Sequence, residues 1–248
     1  MGTNLLSPIA LRLIHTLLVK VRASPFQGSE AYSTLKISGL KGHPEALERG
    51  QSFEALTKPP SVRDISKLAN IPLSKCSSYL SALEKIGYIQ RRPRLMIIDR
   101  RMVYILAYCY PLRSIPFVGF EGLERPASYV QKIATIGKEK KMKYALTHLA
   151  ASEVISPYKF SNLVYFYADL EKVSEWKESL KKVGIAESAK GSIRLLISDL
   201  NPFTGAREIN GIKVVSSPLL YSDLYSSGEI EVAEWIAKNE VLLNYGNI

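Results

Sequence analysis

Between Ser61 and Asp99 (SVRDISKLANIPLSKCSSYLSALEKIGYIQRRPRLMIID) the apolar residues keep a helical period through two short segments and then shorten it. Val62, Ile65, Leu68 and Ala69 recur at helical spacing and predict a short amphipathic helix. Ser61 stands where it can cap that helix. Asp64, three residues on, completes a capping box and complements the N-terminal dipole. Asn70-Ile71-Pro72 predicts a break, because Asn tolerates left-handed backbone angles and Pro72 disfavours helical geometry at Ile71. A second helix restarts near Pro72–Ser74, with Cys76, Leu80 and Leu83 facing the first helix and Ile86 following. Gly87 marks its end at the C′ position. Tyr88–Arg92 and Leu95–Asp99 then read as two short strands separated by Pro93-Arg94 alone, so the hairpin they predict is a stub.

Helix, tight turn, helix and hairpin in this order make a winged helix-turn-helix, a unit whose second helix fits the major groove of DNA. The outer face of that helix is left with Ser74, Lys75, Ser77, Ser78, Ser81 and Lys85. Short hydroxyls and amines suit close approach to base edges and phosphates. Arg91, Arg92 and Arg94 in the hairpin would reach the sugar-phosphate backbone or the adjacent minor groove, and Arg63 adds a cation on the first helix.

A helix-turn-helix pattern also occurs in protein–protein modules, and hairpin arginines are often only solvated. Charge separates these readings. The 248-residue chain carries 33 Lys+Arg against 23 Asp+Glu, a net +10. From residue 114 onward there are 16 of each sign, whereas residues 51–113 hold 11 basic and 4 acidic and residues 1–50 hold 6 and 3. The whole excess lies on and before the suspected reader, which is the footprint of a polyanion-binding domain. Double-stranded DNA is the partner this implies.

The pattern elsewhere predicts an α+β protein, an N-terminal winged helix-turn-helix domain followed by an α/β domain. Ser7-Pro8 opens a first helix, with Ile9, Leu13, Leu17 and Val21 on one face and Ile14 and Leu18 beside it. Residues 23–60 form a long insert or mobile basic arm punctuated by Pro and Gly, unusually long for this position. Arg100–Tyr110 reads as an apolar helix leaving the reader, which closes a first domain at 1–112. A join follows at 113–126, where Pro, Gly and aromatics mix without a period, and the second domain covers 127–248. Within it, helices are expected at Ser128–Glu139, Ala145–Ile155, Leu170–Val183, Pro218–Ser226 and Ile230–Val241. Strands are expected at Asn162–Ala168 and Ile193–Ile197, with a hairpin over Arg207–Val215 turning at Asn210-Gly211.

Other classes are disfavoured. No run approaches the ~18–20 apolar residues of a membrane span. Arg12, His15 and Lys20 spoil Leu5–Val21 as a signal peptide, so a soluble, cytoplasmic protein is expected. Cys76 and Cys109 read as small apolar fillers, and two isolated cysteines make neither a zinc site nor a disulfide framework. His15, His43 and His148 have no ligand or triad partner at useful spacing, so no metal and no cofactor is expected. The second half has a helix–strand–helix order reminiscent of small nucleotidyltransferases. Those need a Gly-Ser on the helix approach and paired carboxylates on the following strand to hold magnesium at triphosphate. Here the approach is Ala145-Leu146-Thr147-His148 and the strand offers only Asp169, so the chain is not expected to be an enzyme. Tyr165, Phe166, Tyr167 and Trp176 could form a partner surface but are read as core.

The second half also carries a family resemblance. KYALTHLAASEVISPY at Lys143–Tyr158, a strand ending in Asp169, and NPFTGAREINGIKVVSSPLLYSDLYSSG at Asn201–Gly228 resemble AbiEi-family proteins, transcriptional-regulator antitoxins of type IV toxin-antitoxin systems. The likeness spans roughly residues 61–240 in the same domain order, and the chain departs from the family at the 23–60 insert and at the join. It implies a repressor of its own promoter repeats. It also implies a nucleotidyltransferase toxin encoded nearby and countered without a stable complex. The family's outer recognition-helix positions carry over to Ser74, Lys75, Ser77, Ser78 and Ser81, and its wing basics to Arg91, Arg92 and Arg94. The alternative is a stand-alone winged-helix regulator whose second domain is a protein-interaction or degenerate nucleotidyltransferase-like module.

Overall fold

The computed structural model describes residues 6–21, 60–92 and 95–239. The 23–60 insert, apart from Pro60, lies outside the described residues, as do the Pro93-Arg94 hairpin tip, His43 and the chain beyond Asn239.

The first helix, α1 (Pro8–Lys20), starts as its sequence predicts: Ser7 accepts a hydrogen bond from the Ala10 amide and Pro8 occupies the first turn. Two helices follow, α2 (Val62–Leu68) and α3 (Leu73–Lys85), then a two-stranded antiparallel hairpin of β1 (Ile89–Gln90) and β2 (Met96–Ile97). A 3-10 turn at Arg100–Met102 leads into α4 (Val103–Cys109), shorter than the helix expected over Arg100–Tyr110.

The remaining elements build a mixed α+β layer. In chain order they are β3 (Phe117–Glu121), α5 (Pro126–Glu139), β4 (Tyr144–Thr147), α6 (His148–Ile155), β5 (Val164–Ala168), α7 (Val173–Lys182), β6 (Ala186–Glu187), β7 (Ile193–Leu196), β8 (Arg207–Ile209), β9 (Ile212–Val214), α8 (Ser217–Ser227) and α9 (Ile230–Asn239). The seven strands lie in the order β6-β3-β7-β5-β4-β9-β8. The β7–β5 and β4–β9 pairs are parallel and the others antiparallel.

Three expectations are corrected here. Ala145–Ile155 is not one helix: Tyr144–Thr147 is a fully buried strand, and the helix begins at His148 with φ +58. A four-residue apolar run has no period of its own, so pairing with β5 and β9 decides it. The stretch at 113–126 contains β3, which pairs with β6 and β7 inside the sheet. Leu170–Lys172 forms a separate 3-10 turn ahead of α7. The Asn210-Gly211 turn forms as expected, with both residues at positive φ.

Strand alternation on β5 sorts the second core. Phe166 packs edge-on against Trp176 of α7, while Tyr167, pointing the opposite way, donates to Asp223 of α8 at 3.0 Å. Tyr165, Phe166, Tyr167 and Trp176 are all buried. Asp223 is buried and also accepts from Thr147 at 2.5 Å. Its burial outweighs those two hydrogen bonds and raises its pKa to about 7.

Helix α1 packs against α2 and α3 and also against α4 and α8. Its residues Ala10, Leu11, Leu13, Ile14, His15, Thr16 and Leu17 are buried, more than a single apolar stripe would bury. His15 Nε2 lies 2.8 Å from Ser216 Oγ at the start of α8. A side chain at Gly205, which has φ +71, would collide with Val19, so the 201–206 loop closes tightly on α1. One continuous apolar core results, running from α1 through both sets of elements.

Burial holds the His15 pKa down at about 4, with the Leu200 backbone offsetting part of the drop. The neutral imidazole is therefore the native form. On acidification the unfolded chain binds a proton near pH 6.5 that the folded chain refuses until about pH 4, so this group's stabilisation is lost across that window. In His15→Gln the acid-side fall in unfolding free energy should be shallower by on the order of 3 kcal/mol between pH 6.5 and 4. Urea titrations of both proteins at several pH values measure the difference, and equal slopes would remove His15 as its source.

Candidate nucleic-acid interface

The α2–α3 pair is fixed by local chemistry at three points. At the start of α2 the capping box is complete: the Asp64 amide donates to Ser61 Oγ at 3.2 Å and the Ser61 amide to Asp64 Oδ2 at 3.0 Å. Hydrogen bonds from Ser61, side chain first, hold the Asp64 carboxyl below its ordinary pKa. At the turn, Asn70 takes φ +52 and Ile71 is buried. The Ile71 amide donates to the Ser66 carbonyl at 3.0 Å, and Ser66 Oγ donates back to the Ile71 carbonyl at 2.7 Å. This reciprocal pair closes the turn between the helices. At the end of α3, Gly87 takes φ +85, its amide bonds the Glu84 carbonyl, and the Tyr88 amide bonds the Leu83 carbonyl. That is a Schellman ending, which sends the chain straight into the hairpin.

Helix α3 buries Cys76, Leu80 and Leu83 against its neighbours. The Cys76 thiol lies 3.7 Å from the Val62 carbonyl, and burial raises its pKa to about 11, so it packs and does not react. Tyr79 reaches Ser7 at the cap of α1, 3.0 Å away, which braces α3 against the first helix. Leu68, Leu73 and Ile86 are exposed. For Leu68 this corrects the expected apolar face: a seven-residue α2 turns only its Ile65 stripe fully inward. For Ile86, the Schellman turn carries the residue off the packed side.

The structure gathers most of the candidate residues on one exposed surface. Ser74, Lys75, Ser77, Ser78, Ser81 and Lys85 all lie on the solvent face of α3, and Arg63 is exposed on α2. Ser81 turns its hydroxyl back onto the Ser77 carbonyl at 3.0 Å. Lys67, a further exposed cation in the last turn of α2, belongs with them and was readable from its spacing to Arg63.

In the hairpin the arginines divide. Arg92 is exposed, whereas Arg91 is half-buried and bound to Glu84. Its amide donates to Glu84 Oε1 at 2.9 Å and its Nε to Oε2 at 2.7 Å. The Arg91 amide first, and then its guanidinium, hold the Glu84 carboxyl below the ordinary range. Arg94 lies outside the described residues. Glu84 is the residue that sequence reasoning missed. Its signal was a carboxylate in the last helical turn, one Gly-turn away from an arginine-rich strand end.

In the α/β elements two aspartates bear on the enzymatic alternative. Asp169 lies 3.8 Å from Lys143, and both are partly exposed. Asp223, which the sequence did not place beside this strand, is enclosed by Thr147 and Tyr167. Among the described residues, no three His, Cys, Asp or Glu side chains stand together as a metal ligand set. No described helix is long and apolar enough to cross a membrane. Compared with family models, with curated proteins and with solved structures, the chain matches none.

The Ser66–Ile71 bond ties the inter-helical turn from inside the core. Ser66→Ala leaves a buried carbonyl with one partner fewer and should lower unfolding free energy by about 1–2 kcal/mol. Chemical denaturation monitored by circular dichroism measures this, and a loss well under half that size would mean the turn is held by packing alone.

Proposed function

We propose that this chain is a sequence-specific DNA-binding transcriptional regulator. In this reading α2, α3 and the β1–β2 hairpin act as a winged helix-turn-helix, and α3 enters the major groove of duplex DNA. The observation that carries it is the outer face of α3, where six serines and lysines are exposed together on the side opposite Cys76, Leu80 and Leu83. Serine hydroxyls donate and accept over short reach, so they suit base edges, while Lys75, Lys85, Arg63 and Arg92 suit phosphates. The charge distribution supports the same reading, because the basic excess lies before residue 114.

The resemblance of Lys143–Tyr158 and Asn201–Gly228 to AbiEi-family proteins extends this to an autorepressing antitoxin acting in the cytoplasm. Its target is then repeats in its own promoter, and its counterpart a nucleotidyltransferase toxin that it opposes without a stable complex. On this reading the α/β half has no catalytic part. The single exposed Asp169 and the enclosed Asp223 do not form an accessible pair of carboxylates for a metal–triphosphate clamp.

Selection from random duplex DNA, followed by binding at several salt concentrations, tests the proposal. The full chain should enrich a defined site, and its affinity should fall with salt in proportion to the phosphates contacted. Lys85→Gln should weaken binding on all sequences and flatten the salt slope by about one contact. Ser77→Ala or Ser78→Ala should change the enriched site more than the overall affinity. Identical logos for parent and serine variants would move base readout off α3, and absence of duplex binding would reject the proposal.

A further inference from the structure

We infer that Glu84 is the positioning residue of this interface, so that Arg91 is a strut between α3 and the hairpin and Arg92 is a phosphate contact. The inference rests on the DNA-binding reading and deepens it. A glutamate at this position is otherwise costly. It sits in the last turn of α3, where negative charge opposes the helix dipole, and it stands on the surface that is to meet phosphates.

Its geometry supplies the reason. Strands of two residues do not hold a hairpin by themselves, and here only Ile89↔Ile97 and Gln90↔Met96 are paired. The buried Ile89 and Ile97 anchor the hairpin's base to the core. Beyond Gln90 the ascending strand has no further ladder partner among the described residues, and there Glu84 takes over. One carboxylate oxygen accepts the Arg91 amide, as a neighbouring strand would, and the other accepts its guanidinium Nε. The next residue is fixed in turn, because the Gln90 side-chain amide donates to the Arg92 carbonyl. Arg91 thus has its charge matched by Glu84, and the exposed Arg92 is carried at a set distance from the end of α3.

The consequence runs against simple electrostatics. Glu84→Gln raises the protein's net charge by one, and charge alone predicts tighter DNA binding. A positioning role predicts weaker binding on the selected site, by about threefold, with an unchanged salt slope. The full chain serves for the test, with titrations of parent, Glu84→Gln, Arg91→Lys and the double variant on the selected duplex at several salt concentrations. Arg91→Lys keeps the charge but loses the Nε–H donor. It should weaken binding in the parent and cost little more once Glu84 is replaced. Amide hydrogen exchange at Gln90, Met96 and Ile98, whose positions carry the cross-strand bonds, should accelerate in Glu84→Gln while exchange in α1 does not change. Equal or tighter binding by Glu84→Gln would overturn the inference. So would a salt slope steeper by about one contact, which would mean that a released Arg91 itself reaches phosphate. Unaltered exchange in the hairpin would overturn it as well, whatever the affinity. A parent chain that binds no duplex fails at an earlier point and rejects the wider reading together with this one.

Discussion

Helix α1 ties the molecule together, because two sets of elements pack on it. The α2–α3 pair lies against it, and α8 packs on α1 as well as on α4. One thirteen-residue helix thus serves two neighbours, and the burial of seven of its residues between Ala10 and Leu17 follows from that double use. Of the polar residues it carries into this position, Thr16 donates to the Arg12 carbonyl of the same helix, and His15 meets Ser216 with its ring neutral. At its N-terminus Ser7 caps the helix and also lies within hydrogen-bond distance of Tyr79 on α3. The same helix thus meets α3 at its N-terminal cap and the start of α8 through His15.

Much of the fold was legible because local chemistry and global packing agree. The capping box at Ser61, the left-handed Asn70, the Gly87 ending and the Asn210-Gly211 turn each depend on residues within a few positions, and each forms as the pattern implies. The failures share a different cause. Tyr144–Thr147 and Phe117–Glu121 are strands only because partners from distant segments pair with them, and neither run is long enough to declare a period. The exposure of Leu68 was hidden because a short helix has fewer inward positions than its apolar residues suggest, and that of Ile86 because the chain turns at the end of α3. On α3 the pattern placed the serines and lysines on the face that is exposed, but in the hairpin it treated Arg91 and Arg92 alike. Their difference lies in Glu84, a contact made across seven residues and a turn, which no periodicity reports.

Polar groups inside the molecule fall at the seams between its parts. Thr147, Tyr167 and Asp223 join β4, β5 and α8. The Leu112 amide donates to Ser226 at 3.0 Å, and Tyr110 bonds Ser198, both linking the exit of α4 to the α/β elements. Tyr104 and Tyr108 of α4 meet Tyr221 and Tyr225 of α8 through edge-on rings 5.5–5.9 Å apart. Apolar contact alone would let two such helices slide, because dispersion is indifferent to small shifts in register. Directional bonds and edge-to-face rings are not.

Helix α8 is consequently the element that links the sheet to α1 and α4, and through them to the α2–α3 pair. Its first turn holds His15 of α1, its middle is tied to β4 and β5 through Asp223, and its later turns hold α4 and the segment after it. Helix α4 follows the hairpin after one 3-10 turn, and α1 packs on α2 and α3. A displacement of α8 relative to the sheet would have to break the buried Thr147–Asp223–Tyr167 contacts. A displacement of α1 and α4 relative to α8 would have to expose His15 or separate the tyrosines. Both routes remove buried polar groups from their partners without offering replacements, which is the costly direction for such groups. The exposed face of α3 is therefore held in place from within, by contacts on its far side that include none of its exposed serines and lysines.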